Sequence, residues 1–223
     1  MPAQATAVVP LFPLPNVVLF PRAVLPLHVF EERYRRMTAD VLSGDGRIAM
    51  ALLRPGWQDD YQPCPAVEPA VCVGTIVAHD RLADGRYNLL LRGDLRGRIT
   101  REVGSTEHPY RLAEVEPIVE PSVLELDLED ERRRLRTFFA PGGRLATSPG
   151  GRKFAELLAS TVLTTDVADL IAFHLLDDVA AKQALLAEPD PRLRVRRVTA
   201  MLASMGSPTG PMATDGRVDV NLN

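Results

Sequence analysis

The chain has 223 residues, of which 46% are apolar and 25% charged, and its formal net charge at pH 7 is −3. This composition is typical of a globular protein large enough to bury a core without metals or disulfide bonds. The small net charge excludes a strong long-range attraction for nucleic acid or an anionic membrane. The two cysteines, Cys64 and Cys72, form neither a disulfide framework nor a metal-ligand pattern. We therefore expect no cofactor and no metal.

The N-terminal segment has no basic region followed by a long apolar stretch, which argues against a signal peptide. The chain also contains no run of about 18 apolar residues, so the sequence predicts no membrane-spanning helix. Two scattered cysteines fit a reducing compartment. We expect a soluble, cytoplasmic protein.

Prolines crowd the first apolar stretch of the chain, at positions 10, 13, 15, 21 and 26. Each proline fixes its own φ, removes a backbone donor and pushes the residue before it toward an extended conformation. The stretch is therefore predicted to form a rigid apolar strap that crosses between strands. It leads into a helix over residues 30–42, in which Phe30, Tyr34, Met37 and Val41 recur at helical spacing.

Short apolar runs, separated by proline and glycine, continue to about residue 119 and predict the strands of a barrel or sandwich. Asp84-Gly85 predicts a tight hairpin turn between VGTIVAHDRL and YNLLLRG. Alternation in the second strand places Tyr87, Leu89 and Leu91 on one face and Leu90 on the other. The loop-like stretch over 55–69 contains the only tryptophan of the chain.

From about residue 125 the apolar residues recur with a helical period, which predicts five helices joined by short connections and hence a bundle. We expect Asp166 to cap the third helix, Asp177 or Asp178 to begin the fourth, and Asp190 with Pro191 to begin the fifth. The composition after residue 205 predicts a flexible tail. The resulting division is a β-rich part over 1–122, a helical bundle over 123–205 and a tail over 206–223.

Three segments together resemble the Lon protease N-terminal domain, also called the LON substrate-binding domain. LFPLPNVVLFPRAVLPLHVFEERYRRM (11–37) is similar to the start of that domain, with Arg22 where glycine is frequent in the family. VGTIVAHDRLADGRYNLLLRGDLRGRI (73–99) is similar to the second signature of the family, and YRLAEVEPI (110–118) to its next strand. The resemblance extends over about residues 8–205. It implies an α+β fold: a PUA-like β pseudo-barrel with one inserted helix, followed by a C-terminal helical bundle.

The resemblance implies that, in the full protease, this domain precedes an ATPase and a serine-lysine peptidase. The present sequence contains no GxxxxGK[ST] phosphate loop, and PGGRKF (149–154) lacks both the spacing and the hydroxyl. It also lacks a Gly-x-Ser-x-Gly nucleophile motif. We therefore expect a stand-alone LON-domain protein that is not an enzyme and that binds unfolded or extended polypeptide segments in protein quality control.

Five aromatic residues are the candidates for a peptide-binding groove: Trp57 and Tyr61 in the loop, Phe12 and Phe20 in the strap, and Tyr34 in the first helix. A tryptophan on a loop bounded by proline and glycine is typical of a contact residue. For Phe20 and Tyr34, packing in the core is the stronger alternative, because both belong to strongly apolar patterns.

Three other functions stay open: an accessory or regulatory role, RNA binding, and an unrecognised hydrolase activity, which a broad panel of esters and peptides would test. The protein could be an accessory or regulatory protein that acts on a protease or another partner through its helical bundle, and a homodimer is one form of this. The second function is RNA binding, since PUA-like folds include RNA binders and Arg92, Arg96 and Arg98 would share a face in an unbroken strand. We disfavour RNA binding, because the chain is acidic overall and no aromatic residues alternate with these arginines for base stacking.

Overall fold

The computed structural model describes residues 7–58, 64–104 and 106–205. Within these ranges it has six strands and six helices, and it confirms the predicted α+β class. The predicted tail (206–223) and Tyr61 lie outside the described residues. The strands are β1 Ala7–Leu14, β2 Val24–Val29, β3 Arg47–Leu52, β4 Ala70–Arg81, β5 Tyr87–Val103 and β6 Leu112–Pro117. The helices are α1 Glu32–Leu42, α2 Glu129–Phe139, α3 Gly151–Ala159, α4 Thr164–Leu175, α5 Val179–Ala187 and α6 Pro191–Ser204, with a short 3-10 turn Glu125–Leu128 before α2.

The sheet closes on itself through its longest strand. Its order is β2-β5-β4-β3-β1-β6, and β6 pairs again with β5. β1 and β3 run parallel, and the other pairs are antiparallel. The first part of β5, residues 87–92, pairs with β2, and residues 97–103 pair with β6. Five strands therefore form a ring to which β2 is appended, which is the expected pseudo-barrel.

The proline-rich strap crosses from β1 to β2 over residues 15–23 and docks on β5. Phe20 and Ala23 have no exposed surface. The Arg22 N–H donates to the Gly93 carbonyl oxygen, and the Gly93 N–H donates to that of Ala23, both at 2.8 Å. The backbones approach so closely that a Cβ on Gly93 would lie 2.1 Å from the Phe20 carbonyl oxygen. Glycine in the LLRG segment is therefore what lets the strap lie against the ring.

The hairpin between β4 and β5 forms where the sequence predicts it, with Gly85 at φ 82° in the turn. Tyr87, Leu89 and Leu91 are buried, while Leu90 is 39% exposed, as the alternation predicts.

A bulge at Asp94 then shifts the alternation in β5, because Gly93 pairs with Gly74 and Leu95 with Val73. As a result Arg96 is buried, whereas Arg92 is exposed. The expectation that Arg92, Arg96 and Arg98 share one face is wrong, because that expectation requires an unbroken strand.

The helix starts of the bundle follow their capping residues, with one correction. The Asp178 carboxylate accepts the Ala181 N–H at 3.0 Å, and the Asp190 carboxylate accepts the Arg192 N–H at 2.8 Å. Asp166, however, does not cap α4, which begins two residues earlier, at Thr164. The Thr164 N–H donates instead to Glu125, 39 residues away in sequence, at 2.9 Å. A long-range contact therefore sets this helix start, and local sequence does not reveal it.

Two hydrophobic clusters hold the fold together. One is formed by small and branched side chains of the ring strands: Val9, Leu11, Ala49, Ala51, Val71, Val73, Ala113 and Val115. The larger cluster joins Phe20 and Met37 of the β-rich part to Leu135, Ile171 and Val198 of the bundle. The division of the chain near residue 122 therefore stays a prediction. One continuous apolar core includes residues from both sides of it.

Candidate functional site

A cavity of about 680 Å³ lies between the loop that follows β3 and one face of α5. The loop contributes Pro55 and Trp57, the strap contributes Pro15, and α5 contributes Ala180 and Ala184. This volume falls within the range of about 300–1,000 Å³ that is usual for ligand pockets. We call this space the Trp57 cavity.

The base of the loop is fixed by backbone hydrogen bonds that extend the sheet. The Arg54 N–H donates to Ala66 O at 2.9 Å, and the Glu68 N–H donates to Leu52 O at 2.8 Å. Trp57 lies in the turn just beyond, where Gly56 adopts φ 85° and the Trp57 N–H donates to Arg54 O at 3.3 Å. The indole is partly exposed. A large aromatic side chain is therefore presented at the cavity from an anchored turn.

The opposite wall is open because α5 carries small residues on this face. Ala180, Ala184 and Ala187 line the cavity at positions that share one helical face. Gln183, on the same helix, is 9% exposed, and its side-chain NH₂ donates to Ala70 O of β4 at 2.9 Å. That hydrogen bond ties α5 to the ring at the cavity. The other side-chain atom of the amide, Oε1 of Gln183, is buried without a hydrogen-bond partner among the described residues.

Two charged residues also line the cavity. Glu68 has a distant ionic partner, with 3.9 Å between its Oε1 and Nε of Arg54. Arg98, on β5, is exposed and forms no ion pair with any residue that the structure describes. The cavity therefore combines apolar walls with a guanidinium that forms no ion pair among the described residues.

Of the predicted contact residues, Trp57 alone lines this cavity within the described part of the chain. Phe20 is fully buried, and Phe12 and Tyr34 pack edge to face with ring centroids 4.4 Å apart, at 6% and 5% exposure. Phe12 and Phe20 are therefore core residues, because β1 and the strap turn these rings inward. Tyr34 lines a separate pocket of about 300 Å³ with Cys64, and burial raises the pKa of its hydroxyl. The prediction for Tyr61 concerns a residue outside the described ranges.

No sequence pattern indicated the α5 wall, because alanines on a short helix fit ordinary packing equally well. It also missed a buried cluster of charges that joins β5 to the bundle, which we call the junction cluster. Nη2 of Arg96 lies 2.6 Å from Oδ1 of Asp169, and its Nη1 lies 3.1 Å from Oε1 of Glu120. Arg194 of α6 completes the cluster, with Nη2 3.0 Å from Oε2 of Glu120 and Nε 3.6 Å from Oδ1 of Asp169.

A second concave surface, of about 700 Å³, lies between α2 and α6. Half of its lining residues are charged, and several pair with one another, such as Arg134 with Glu131 at 3.3 Å. Phe138 and Ala200 are among its apolar residues. This surface is more polar than the Trp57 cavity and belongs to the bundle alone.

The described residues show no group of three or more histidine, cysteine and acidic side chains that could hold a metal ion. Burial raises the pKa of the Cys72 thiol, which makes this cysteine a poor nucleophile. Among the described helices, none is both long enough and apolar enough to cross a membrane.

The fold and the cavity define a class of protein: a partly ring-shaped β body fused to a helical bundle, with a cavity where the two meet. The profile of the family described as the ATP-dependent protease La (LON) substrate-binding domain matches residues 8–204. The chain therefore belongs to this family.

Full-length relatives extend well beyond the part that this chain matches. A Lon protease of Geobacter metallireducens is 34% identical over 200 residues, which cover 86% of this chain and 23% of the protease. Lon protease 2 of Syntrophobacter fumaroxidans is 28% identical over 189 residues, covering 85% of this chain and 23% of the protease. The chain thus spans about a quarter of the length of these relatives.

Solved structures show the same fold. A Lon N-terminal domain protein from Xanthomonas campestris is 25% identical, with a TM-score of 0.62, and the match covers 87% of this chain and 98% of that one. The N-terminal domain of a Mycobacterium avium complex Lon protease has a TM-score of 0.70 at 15% identity, covering 88% and 98% of the two chains. The pseudo-barrel and bundle are therefore shared with Lon N-terminal domains.

Proposed function

We propose that the protein is a non-catalytic polypeptide-binding module that holds extended or unfolded segments at the Trp57 cavity. The observation that carries this proposal is the cavity itself, in which Trp57 on an anchored turn faces the small residues of α5. An indole with two rotatable side-chain bonds supplies a large contact area at a low entropic cost. The family description, a substrate-binding domain, supports the same role.

Binding without chemistry fits both the family and the site. The family match reaches the substrate-binding domain and neither an ATPase nor a peptidase domain. The charged residues at the cavity, Arg98 and Glu68, have no nucleophile beside them among the lining residues. The proposal places the protein in the cytoplasm, where unfolded clients for protein quality control arise. It gives the protein no nucleic-acid partner, because Arg96 is buried in the junction cluster and Arg92 is paired with Asp94, which leaves no continuous basic string along β5.

Substitution of Trp57 by alanine tests the proposal. We expect affinity for a fluorescently labelled, permanently unfolded carboxymethylated protein, measured by anisotropy, to fall by at least about tenfold. Leu126→Ala is the matched control, because Leu126 is apolar, 76% exposed and outside the cavity. Equal binding by the wild type and the Trp57 variant would remove the cavity as the binding site.

The alternative is an accessory protein that binds its partner, or a second copy of itself, through the bundle. Exposed apolar side chains favour it, since Leu126 and Leu163 are 76% and 49% exposed. The same pair of variants separates the two functions. Size-exclusion chromatography with light scattering measures partner binding and dimer formation. If Leu126→Ala loses either of them and Trp57→Ala loses neither, the protein acts through its bundle.

A further inference from the structure

The Trp57 cavity carries a positive charge that no described residue neutralises. Arg98 lines the cavity and forms no ion pair within the described part of the chain. Glu116 of β6 lies opposite Arg98 in the register of the two strands. The two side chains do not form an ion pair, and Glu116 does not line the cavity. The one lining carboxylate, Glu68, has Arg54 as a distant partner. The lining thus holds one positive and one negative side chain, and of the two only Arg98 lacks an ion pair among the described residues, so a negative group of a ligand would bind at Arg98.

The neighbouring arginine on the same strand shows that Arg98 is distinct. Arg96 lies two residues earlier in β5, and its charge is compensated by Asp169 and Glu120 within 3.1 Å. Arg98 has no equivalent partner among the described residues, and a guanidinium binds a carboxylate well because its donors match the two carboxylate oxygens. Within the part of the chain that the structure describes, Arg98 is thus a carboxylate-binding group at the edge of an apolar space.

A buried acceptor at the same wall is also without a donor. Gln183 lines the cavity, and its Oε1 is buried and has no hydrogen-bond partner among the described residues. A buried acceptor without a donor is unfavourable. Because the atom has almost no exposed surface, an N–H group of a bound segment would satisfy it after a small movement of the Gln183 side chain. Such an N–H group belongs to a peptide backbone, whereas a simple fatty acid would lack it.

The room beside these polar groups is apolar. Ala180, Ala184 and Ala187 leave space opposite Trp57, and Pro15 and Pro55 add rigid apolar surface. An aliphatic or aromatic side chain fits this space and removes apolar surface from water.

We infer that the Trp57 cavity selects a polypeptide segment in which an apolar side chain stands directly beside a carboxylate, with the apolar group against Trp57 and α5 and the carboxylate on Arg98. The carboxylate is either a C-terminal group or the side chain of an acidic residue. This inference rests on the proposed function and deepens it, because it gives the bound segment a chemical class.

The fluorescence of Trp57 can report peptide binding, because Trp57 is the only tryptophan in the chain and lines the cavity. Short tryptophan-free peptides ending in -Leu-Leu-Ala are titrated while the Trp57 emission is followed. One pair compares the free C-terminal acid with its amide, and a second pair, both amidated, compares an internal -Leu-Leu-Asp- with -Leu-Leu-Asn-. We expect the negatively charged member of at least one pair to bind about fivefold tighter, with a preference that shrinks as salt is added. The pair that shows the preference identifies the source of the carboxylate.

Two variants assign the effect to Arg98. Arg98→Gln should bring the charged and neutral peptides to equal affinity without weakening the neutral ones. Arg92→Gln is the matched control on the same strand, because Arg92 is exposed, engaged by Asp94 at 3.0 Å and absent from the cavity lining. Ala184→Phe, which places a ring in the cavity from an exposed helix position, should weaken all four peptides.

The outcomes separate this inference from the proposed function. Equal affinities for charged and neutral peptides in the wild type, with binding that Ala184→Phe weakens, overturn the carboxylate preference and leave the binding module intact. A preference that survives Arg98→Gln also overturns the assignment to Arg98. If no peptide binds and the unfolded protein is not retained either, both proposals fall.

Discussion

The junction cluster should be a main determinant of stability, and Asp169→Asn is the sharpest perturbation of it. The carboxylate of Asp169 is 5% exposed, and the side chains of Arg96 and Arg194 that face it are 3% and 2% exposed. The substitution preserves the shape of the residue but removes the charge that two buried guanidinium groups share. What remains is an excess of buried positive charge between β5, α4 and α6.

The size of the effect follows from this burial. Removing one partner of a buried ion pair costs about 3–5 kcal/mol. Glu120 stays in contact with both arginines and is 34% exposed, so it compensates part of the loss. We therefore expect the low end, a decrease of about 3 kcal/mol in the free energy of unfolding. In a domain of this size that corresponds to a decrease of about 6–12 °C in Tm.

Urea unfolding followed by circular dichroism measures this change, with an m-value equal to that of the wild type as the sign that only stability changed. Glu120→Gln is the matched control, and we expect a loss of no more than about 1 kcal/mol, because water reaches Glu120. If Asp169→Asn lowers the free energy of unfolding by no more than Glu120→Gln does, burial does not make the junction cluster important for stability.

Two backbone predictions concern the strap. Gly93→Ala should lower the free energy of unfolding by about 2 kcal/mol or more, since its Cβ would overlap the Phe20 carbonyl, whereas Gly104→Ala, with no atom within 4 Å of its added Cβ, should be near neutral. Arg22→Gly should raise the free energy of unfolding by about 0.5–1 kcal/mol, because Arg22 has φ 68° and its exposed contact with Asp166 at 3.5 Å contributes little. Denaturant midpoints check both, and a destabilised Arg22→Gly variant would contradict the second.

The backbone conformation of Arg22 explains why glycine is frequent at this position in the family. The family resemblance marks Arg22 as standing where glycine is frequent, and the structure shows a left-handed backbone there. The nearby Arg22–Gly93 hydrogen bond holds that conformation in place. The sequence marked the departure but not its conformational reason, because a single φ value depends on what the strap docks against.

The sequence by itself determined the local elements of this protein. Prolines specify the strap, Asp84-Gly85 specifies the hairpin, and capping residues such as Asp178 and Asp190 specify helix starts, because each acts through its own backbone or that of its near neighbours. The same local patterns correctly placed Trp57 in a loop.

Only the tertiary structure decided which of these elements meet. A bulge at Asp94 turned Arg96 inward to Asp169, 73 residues away in sequence, whereas Arg98 forms no ion pair with any described residue. The docking of α5 on β4 placed alanines opposite Trp57 and so created the cavity. Contacts of this kind join residues far apart along the chain, and no periodicity or capping signal encodes them, because they depend on the packing of the whole core.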